Sequence, residues 1–411
     1  MRKILLGTTG VVGAALIGMG AAQAQQAPTV RVGGFMQTTV AIVDDTLDGT
    51  GAAPRGVAGA GTQSRNSTDF RNEVEIHVFV TGKAANGLSY GAVIEVQNDG
   101  TSGSVLDLDE AYVFVSSPTL GTIRFGEEDS AASILQVRAP SITGFGADGA
   151  WDVGILGNAA DRSGGNPSIL TGINDGSDAT KIIYLSPQFF GFDFGVSYAP
   201  NAGEGDRPFN ARAVDALAAA PTAASNTQRD RTGLQNEMSA ALRYRGTFGG
   251  VGIAAAFGYM QADAPEVTAA GGAVSPRAED VSAYTVGLNL SAFGLTVGGE
   301  YTWGKYSGAS VGRTALARGR DESNHWLLGA TYVMGAFSVG AYYGVGTQDN
   351  GGTLADREQT GYGIGAAYTV APGLEVFASY NQYEDTNVVV GSLAPQTRDF
   401  SAFFLGTRLA F

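Results

Sequence analysis

From residue 29 onwards the chain repeatedly alternates apolar and polar residues with a period of two. The pattern is clearest at residues 69–83, where Val74 and Ile76 fall on one face and Glu75 and His77 on the other. Because successive side chains of a β-strand point to opposite faces, such a segment predicts a strand with one apolar and one charged face. Sixteen such segments follow one another: 29–40, 69–83, 88–97, 108–116, 121–127, 180–186, 191–199, 234–247, 250–261, 280–292, 294–306, 322–334, 336–347, 357–370, 373–384 and 398–411.

The connections between these segments alternate between short turns and long polar loops. Seven are tight, such as residues 84–87 and 371–373, and eight are long, such as 44–68 and 200–233. An even number of strands with short turns on one rim and long loops on the other is typical of an antiparallel β-barrel that crosses a membrane. Aromatic residues near the ends of the apolar faces, including Trp303 and Tyr343, suit the two membrane interfaces, although they would also suit the core of a soluble β protein. The predicted fold class is therefore all-β, a sixteen-stranded transmembrane barrel.

The third long connection, residues 126–181, has an unusual length. At roughly 50 residues it far exceeds the usual limit of about 15 for a loop without structure of its own. It combines apolar residues such as Trp151 with the acidic residues Asp148, Asp152 and Asp161. We expect this loop to fold into the barrel, where it packs on the wall and presents charge to a passage.

The N-terminus has the features of a secretory signal. Arg2 and Lys3 precede an apolar stretch that ends in Ala22-Gln23-Ala24, a small-x-small cleavage motif. We therefore expect a cleaved signal at residues 1–24 and a barrel domain at 25–411; a single anchor helix is the alternative. Downstream, no run of about 20 apolar residues predicts a spanning helix.

Charge and composition restrict the function further. The formal net charge is −14 and becomes −16 when Arg2 and Lys3 are removed with the signal. Binding to nucleic acid needs clustered Lys and Arg, so a nucleic-acid partner is not expected. The acidic balance is consistent either with an ordinary solvated surface or with a passage that favours cations. Without cysteine, the chain can form neither a disulfide nor a thiolate metal site.

Three segments carry a resemblance to a known family: residues 30–35 (VRVGGF), 121–126 (GTIRFG) leading into the third loop, and 405–411 (LGTRLAF). Together with the strand count, they make the chain resemble the Gram-negative general porins, sixteen-stranded trimeric diffusion channels of the outer membrane. The resemblance implies a homotrimer, lipopolysaccharide neighbours, and a third loop that sets the pore size. The alternation ending in Phe411 resembles the signal that the outer-membrane assembly machinery reads.

The resemblance also implies a pore constriction in which acidic residues of the third loop oppose basic residues of the wall. In this sequence the acidic residues would be Asp148, Asp152 and Asp161, and the basic residues would be Arg31, Arg71 and Arg124. Charged residues on the faces opposite the apolar sets should also face the lumen, because Lys or Arg facing lipid would cost about 2–4 kcal/mol at the membrane midplane. They include Glu73, Glu75, Glu95, Arg243 and Glu300.

Catalysis and metal binding have little support in the sequence. The chain has two histidines, His77 among the expected lumen charges and His325 beside Trp326, where an interfacial position is expected. No serine nucleophile motif accompanies them, so no enzyme activity is predicted. Residues 107–110 and 174–178 cluster oxygen ligands suitable for Ca²⁺, but neither has the full spacing of a calcium loop, so no cofactor is predicted.

The predicted function is an outer-membrane channel for passive diffusion of small hydrophilic solutes and ions, with a mild preference for cations. Two alternatives remain on the same barrel. One is a substrate-selective porin with a saturable site, and the other is a structural or adhesive barrel whose lumen is blocked.

Overall fold

Sixteen antiparallel strands of this computed structural model pair into a closed barrel. The structure describes residues 26–46, 66–98, 107–141, 173, 178–201, 234–264, 266–268, 274–276, 278–306, 316, 319–388 and 396–411. The barrel strands are β1 (Gln26–Asp45), β2 (Thr68–Lys83), β3 (Ser89–Gln97), β4 (Asp107–Ser117), β5 (Gly121–Glu127), β6 (Thr180–Leu185), β7 (Phe192–Asn201), β8 (Gln235–Phe248), β9 (Val251–Asp263), β12 (Val281–Ala292), β13 (Leu295–Lys305), β14 (Ser323–Met334), β15 (Phe337–Gln348), β16 (Arg357–Ala371), β17 (Leu374–Val388) and β18 (Gln396–Ala410). A small hairpin, β10 (Glu266–Thr268) with β11 (Val274–Pro276), lies between β9 and β12, and one short helix, α1 (Ala131–Leu135), follows β5.

The seam of the barrel joins the first strand to the last. Val40 of β1 lies opposite Phe70 of β2 on one side and opposite Leu405 of β18 on the other. At the turn rim, the amide of Gly34 donates to the carbonyl of Phe411 at 3.1 Å. At the loop rim, the buried Arg398 guanidinium donates to both carboxylate oxygens of Asp45. Closure satisfies the hydrogen-bonding groups that an open sheet edge would expose.

Alternation places the apolar set on the outside of the barrel, as predicted. Val32, Phe194 and Leu328 are more than two-fifths exposed, which is the expected state of side chains that face lipid. The aromatic residues form contacts on this surface: Tyr284 lies 4.8 Å from Tyr259 and 5.5 Å from Trp303 between ring centroids. Such rings suit the interfaces of a bilayer.

The sixteen-strand prediction is confirmed, and the structure departs from it in detail. Strand β1 extends to Asp45 because residues 43–45 pair with β18, beyond the last pair with β2 at Ile42. The hairpin β10–β11 and the helix α1 were not predicted, since each is too short to have a periodic pattern. The expected interfacial position of His325 is wrong: its ring is on the inner face, 2 % exposed, with Nδ1 2.8 Å from the Tyr306 hydroxyl. Among the described residues, no helix is both long and apolar enough to span a bilayer.

Candidate functional site in the barrel lumen

The described start of the third loop, residues 128–141, follows the inner wall of the barrel. The Lys181 ammonium group, which is fully buried, donates to the carbonyl of Glu128. The first amides of α1 donate to wall hydroxyl groups, Ala131 to Ser197 Oγ and Ala132 to Ser239 Oγ, each at 3.1 Å. The strands therefore supply the acceptors that the start of a helix needs.

Further along, inward-facing polar side chains of β8, β12 and β13 hold the loop. Arg243 Nη1 donates to the carbonyl of Ile134 at 3.4 Å. Asn289 Nδ2 donates to the carbonyl of Arg138 at 2.8 Å. The amide of Ala139 donates to Glu300 Oε2 at 3.1 Å. Arg243 and Glu300 thus lie on the inner face and bind the backbone of the loop.

Two inward-facing glycines allow the loop to lie directly on the wall. A methyl group at Gly287 would overlap the carbonyl oxygen of Val137, and one at Gly329 would overlap that of Pro140. These two glycines thus make room for the third loop.

Beyond the loop, an apolar cluster lies on the inner wall near the seam. Leu327, Tyr342, Phe400 and Phe404 form a buried cluster with Ala139 of the loop. Each is at most 8 % exposed, so this side of the interior is packed. Ala41 and Val43 of β1 belong to the same cluster.

Carboxylates dominate the inner face of β2 to β4. Glu75 and His77 occupy alternate positions on β2, and Glu95 of β3 lies directly opposite His77. Glu75 Oε2 is 3.1 Å from His77 Nε2, and Glu95 Oε2 is 3.1 Å from His77 Nδ1. Glu73 lies on the same face of β2 and is 7 % exposed. Glu110 of β4 is close enough to Glu95 to interact with it electrostatically. We call Glu73, Glu75, Glu95 and Glu110 the acidic wall.

Of the predicted basic residues, Arg124 contacts the loop. Its Nη1 atom lies 2.7 Å from Glu128 Oε2, and its guanidinium lies over the Tyr112 ring at 5.0 Å. Burial raises the pKa of the Glu128 carboxyl above its ordinary value, and the positive charge of Arg124 opposes that shift. An acidic residue of the loop thus pairs with a basic residue of the wall.

Arg31 and Arg71 are far from each other. Arg31 lies opposite Phe79, with its guanidinium 4.2 Å from the ring centroid. Arg71 lies opposite Thr39, eight residues from Phe79 along β2, which is roughly 26 Å at the usual rise of a strand. The acidic residues Asp148, Asp152 and Asp161 lie outside the described residues.

The two calcium segments can be placed only in part. Residues 107–110 lie in β4, and residues 174–177 lie outside the described part of the chain. Where the structure is described, three potential ligands come together at Glu75, His77 and Glu95, with ligand atoms within 4.8 Å of one another.

A closed barrel with an apolar exterior, a charged interior and a loop lying on its inner wall defines the class of transmembrane barrel channels. The chain belongs to the Gram-negative porin family, whose model matches residues 10–388. It is accordingly an outer-membrane channel for small solutes, and family and fold indicate a channel and not an enzyme.

Solved structures agree with this assignment at the level of the fold. The anion-selective porin from Comamonas acidovorans is 16 % identical, with a TM-score of 0.57 over 94 % of this chain and 100 % of that one. The trimer form of OmpT, an outer membrane protein of Vibrio cholerae, is 14 % identical, with a TM-score of 0.55 and the same coverage. A porin refined at 1.8 Å is 18 % identical, with a TM-score of 0.54 over 93 % of this chain and 100 % of that one. No curated protein matches the sequence.

Sequence reasoning missed the residues that hold the loop. Ser197, Ser239 and Asn289 are ordinary polar residues of the inner face, and Lys181 lies at the start of the predicted strand 180–186. One signal was available: small or polar residues recur on the inner faces of β7, β8 and β12, which the loop passes in turn.

Proposed function

We propose that this porin admits small hydrophilic solutes and ions by passive diffusion and mildly prefers cations. The observation that carries the proposal is the acidic wall. Its side chains lie on the inner face of β2–β4, where Glu75 is 22 % exposed and Glu73 and Glu95 are 7 % and 8 % exposed. A passage lined by one sign of charge raises the local concentration of the opposite ion.

Two positive charges close to this wall lie beside other carboxylates. Arg124 pairs with Glu128 at 2.7 Å, and Lys181 is fully buried beside Glu237, 3.9 Å away. Their charge therefore offsets the acidic wall only in part. The formal net charge of the chain, −14, has the same sign as the acidic wall.

The test is the reversal potential of single channels in a planar bilayer under a salt gradient. We expect a cation-selective potential for the wild type and a potential closer to zero for the double variant Glu75→Gln and Glu95→Gln. Glu358→Gln with Glu384→Gln removes the same charge from exposed positions of the opposite strand face and should leave the potential unchanged.

An anion-selective potential in the wild type would refute the cation preference. Absence of conductance from folded, inserted protein would refute the channel and favour a barrel with a blocked lumen. A saturable current for one solute would favour a substrate-selective porin.

The proposal includes partners and processing. We propose that the chain forms homotrimers, is surrounded by lipopolysaccharide and outer-membrane lipid, and is inserted by the assembly machinery that reads its terminal Phe411. The exposed apolar belt supports the contact with lipid, and the trimeric OmpT structure supports the homotrimer. Cleavage after Ala24 would give a mature chain that begins at Gln25, which intact mass measurement of the native protein tests.

A further inference from the structure

We propose that Glu75, His77 and Glu95 form a binding site for a divalent transition-metal ion, with Zn²⁺ as its representative, on the inner wall of the barrel. The inference deepens the proposed function, on which it rests, because the ion must reach the wall through the lumen. One imidazole nitrogen and two carboxylate oxygens are the ligands concerned.

Strand geometry gathers these three side chains. Glu75 and His77 are two residues apart on β2 and so share a face, while Glu95 is the direct cross-strand neighbour of His77. The backbone pairing of β2 with β3 thus fixes their positions. The His77 ring also stacks on Phe79, with centroids 5.7 Å apart and planes 22° apart, which limits its rotation.

The contacts themselves require a cation. Each nitrogen of His77 is 3.1 Å from a carboxylate oxygen. A neutral imidazole donates from one nitrogen only, so one of these contacts places a lone pair against a negative oxygen. A proton or a metal ion must lie there to make it favourable.

The ligand set favours a metal ion of the first transition row. Imidazole suits Zn²⁺ and its neighbours, whereas Mg²⁺ and Ca²⁺ prefer oxygen ligands alone. The three ligand atoms lie within 4.8 Å of one another. A tetrahedral site with one position open to water requires the two carboxylates, which now face different imidazole nitrogens, to turn towards the same one. Glu110 and Glu128 are close enough to Glu95 to interact with it electrostatically.

The experiment measures Zn²⁺ binding to the folded protein in detergent by titration calorimetry. The wild type should bind one Zn²⁺ per chain at this site, and a large excess of Mg²⁺ should not displace it. His77→Ala should weaken binding at least about tenfold, the lower end of the cost of removing a group that merely supports a metal ligand. Glu95→Gln, which keeps the side-chain volume, provides a second variant if His77→Ala does not fold.

His325→Gln is the matched control, because His325 is the second of two histidines in the chain and is buried elsewhere. It should bind Zn²⁺ as the wild type does. Equal Zn²⁺ binding by His77→Ala and the wild type would overturn the proposed site. Absence of Zn²⁺ binding by the wild type would also overturn it, and would show that a proton, not a metal ion, makes the contacts of His77 with the two carboxylates favourable.

Single-channel recording separates this inference from the channel itself. Zn²⁺ should lower the conductance of the wild type and leave that of His77→Ala unchanged. Protein that conducts ions but binds no Zn²⁺ would refute the metal site and leave the proposed channel standing. Protein that binds Zn²⁺ through His77 but passes no current would refute the proposed channel and retain the site.

Discussion

Replacing Gly287 by alanine tests whether the third loop depends on direct contact with the wall. The added methyl group would overlap the carbonyl oxygen of Val137, which must retreat by on the order of 1–2 Å to reach van der Waals separation. Retreat from an inner wall moves the loop towards the pore axis. The strand itself is unaffected, because its pairing with β9 and β13 uses backbone groups.

The loss of loop attachment can be worked out from the two hydrogen bonds next to Val137. Asn289 Nδ2 to Arg138 O is 2.8 Å, and Ala139 N to Glu300 Oε2 is 3.1 Å, so a shift of this size breaks both. Leaving a buried polar group without its partner costs about 1–3 kcal/mol. Two such losses weaken the attachment of the loop by about 2–6 kcal/mol, enough to depopulate its wall-bound position.

Single-channel recording provides the assay. We expect a lower mean conductance and greater current noise for Gly287→Ala, with barrel stability close to that of the wild type. Gly252→Ala is the matched control, since its methyl group would meet the Ser291 hydroxyl, which can rotate aside. Wild-type conductance and noise in Gly287→Ala, or equal changes in both variants, would refute the reasoning.

Two further predictions concern buried contacts. Arg398→Ala leaves the Asp45 carboxylate buried without its bidentate partner and should lower the free energy of unfolding in urea by about 3–5 kcal/mol. Arg245→Ala removes a half-exposed side chain whose partner Asp193 keeps Arg243, and it should lower the free energy of unfolding by only about 0–1 kcal/mol. Equal losses in the two variants would contradict this. The double variant Ser197→Ala and Ser239→Ala removes both wall acceptors of α1. Amide hydrogen exchange in α1 should become at least about tenfold faster, because losing both hydrogen bonds costs more than about 1.4 kcal/mol. Unchanged exchange would show that these hydroxyl groups do not hold the helix.

The barrel could be predicted from sequence because the residue pattern that specifies each strand lies within that strand. Alternation within a strand separates Val74 from Glu75 wherever that strand lies, and the rhythm of turns and loops gives the strand count. The faces of Phe403 and Phe404 follow in the same way: Phe403 is 41 % exposed on the outside and Phe404 is fully buried inside.

The interior could not be predicted to the same depth because its contacts join distant parts of the chain. The bond between Ala139 and Glu300 spans 161 positions, and no local pattern encodes it. Likewise, the separation of Arg31 from Arg71 depends on the register of β1 with β2, and alternation gives the face of a residue but not its height on the wall. The Glu75, His77 and Glu95 cluster required the register of β2 with β3 for the same reason.

The seam between β1 and β18 has a consequence for how the chain reaches its folded state. Arg398 and Asp45 are 353 positions apart, so the ends of the chain must meet before the barrel closes. Pairing of such high sequence separation is intrinsically slow. Until it occurs, β1 and the most recently paired strand each present an open edge that can join another chain. Because β18 follows all the other barrel strands in the chain, the seam cannot close until each of them has been synthesised.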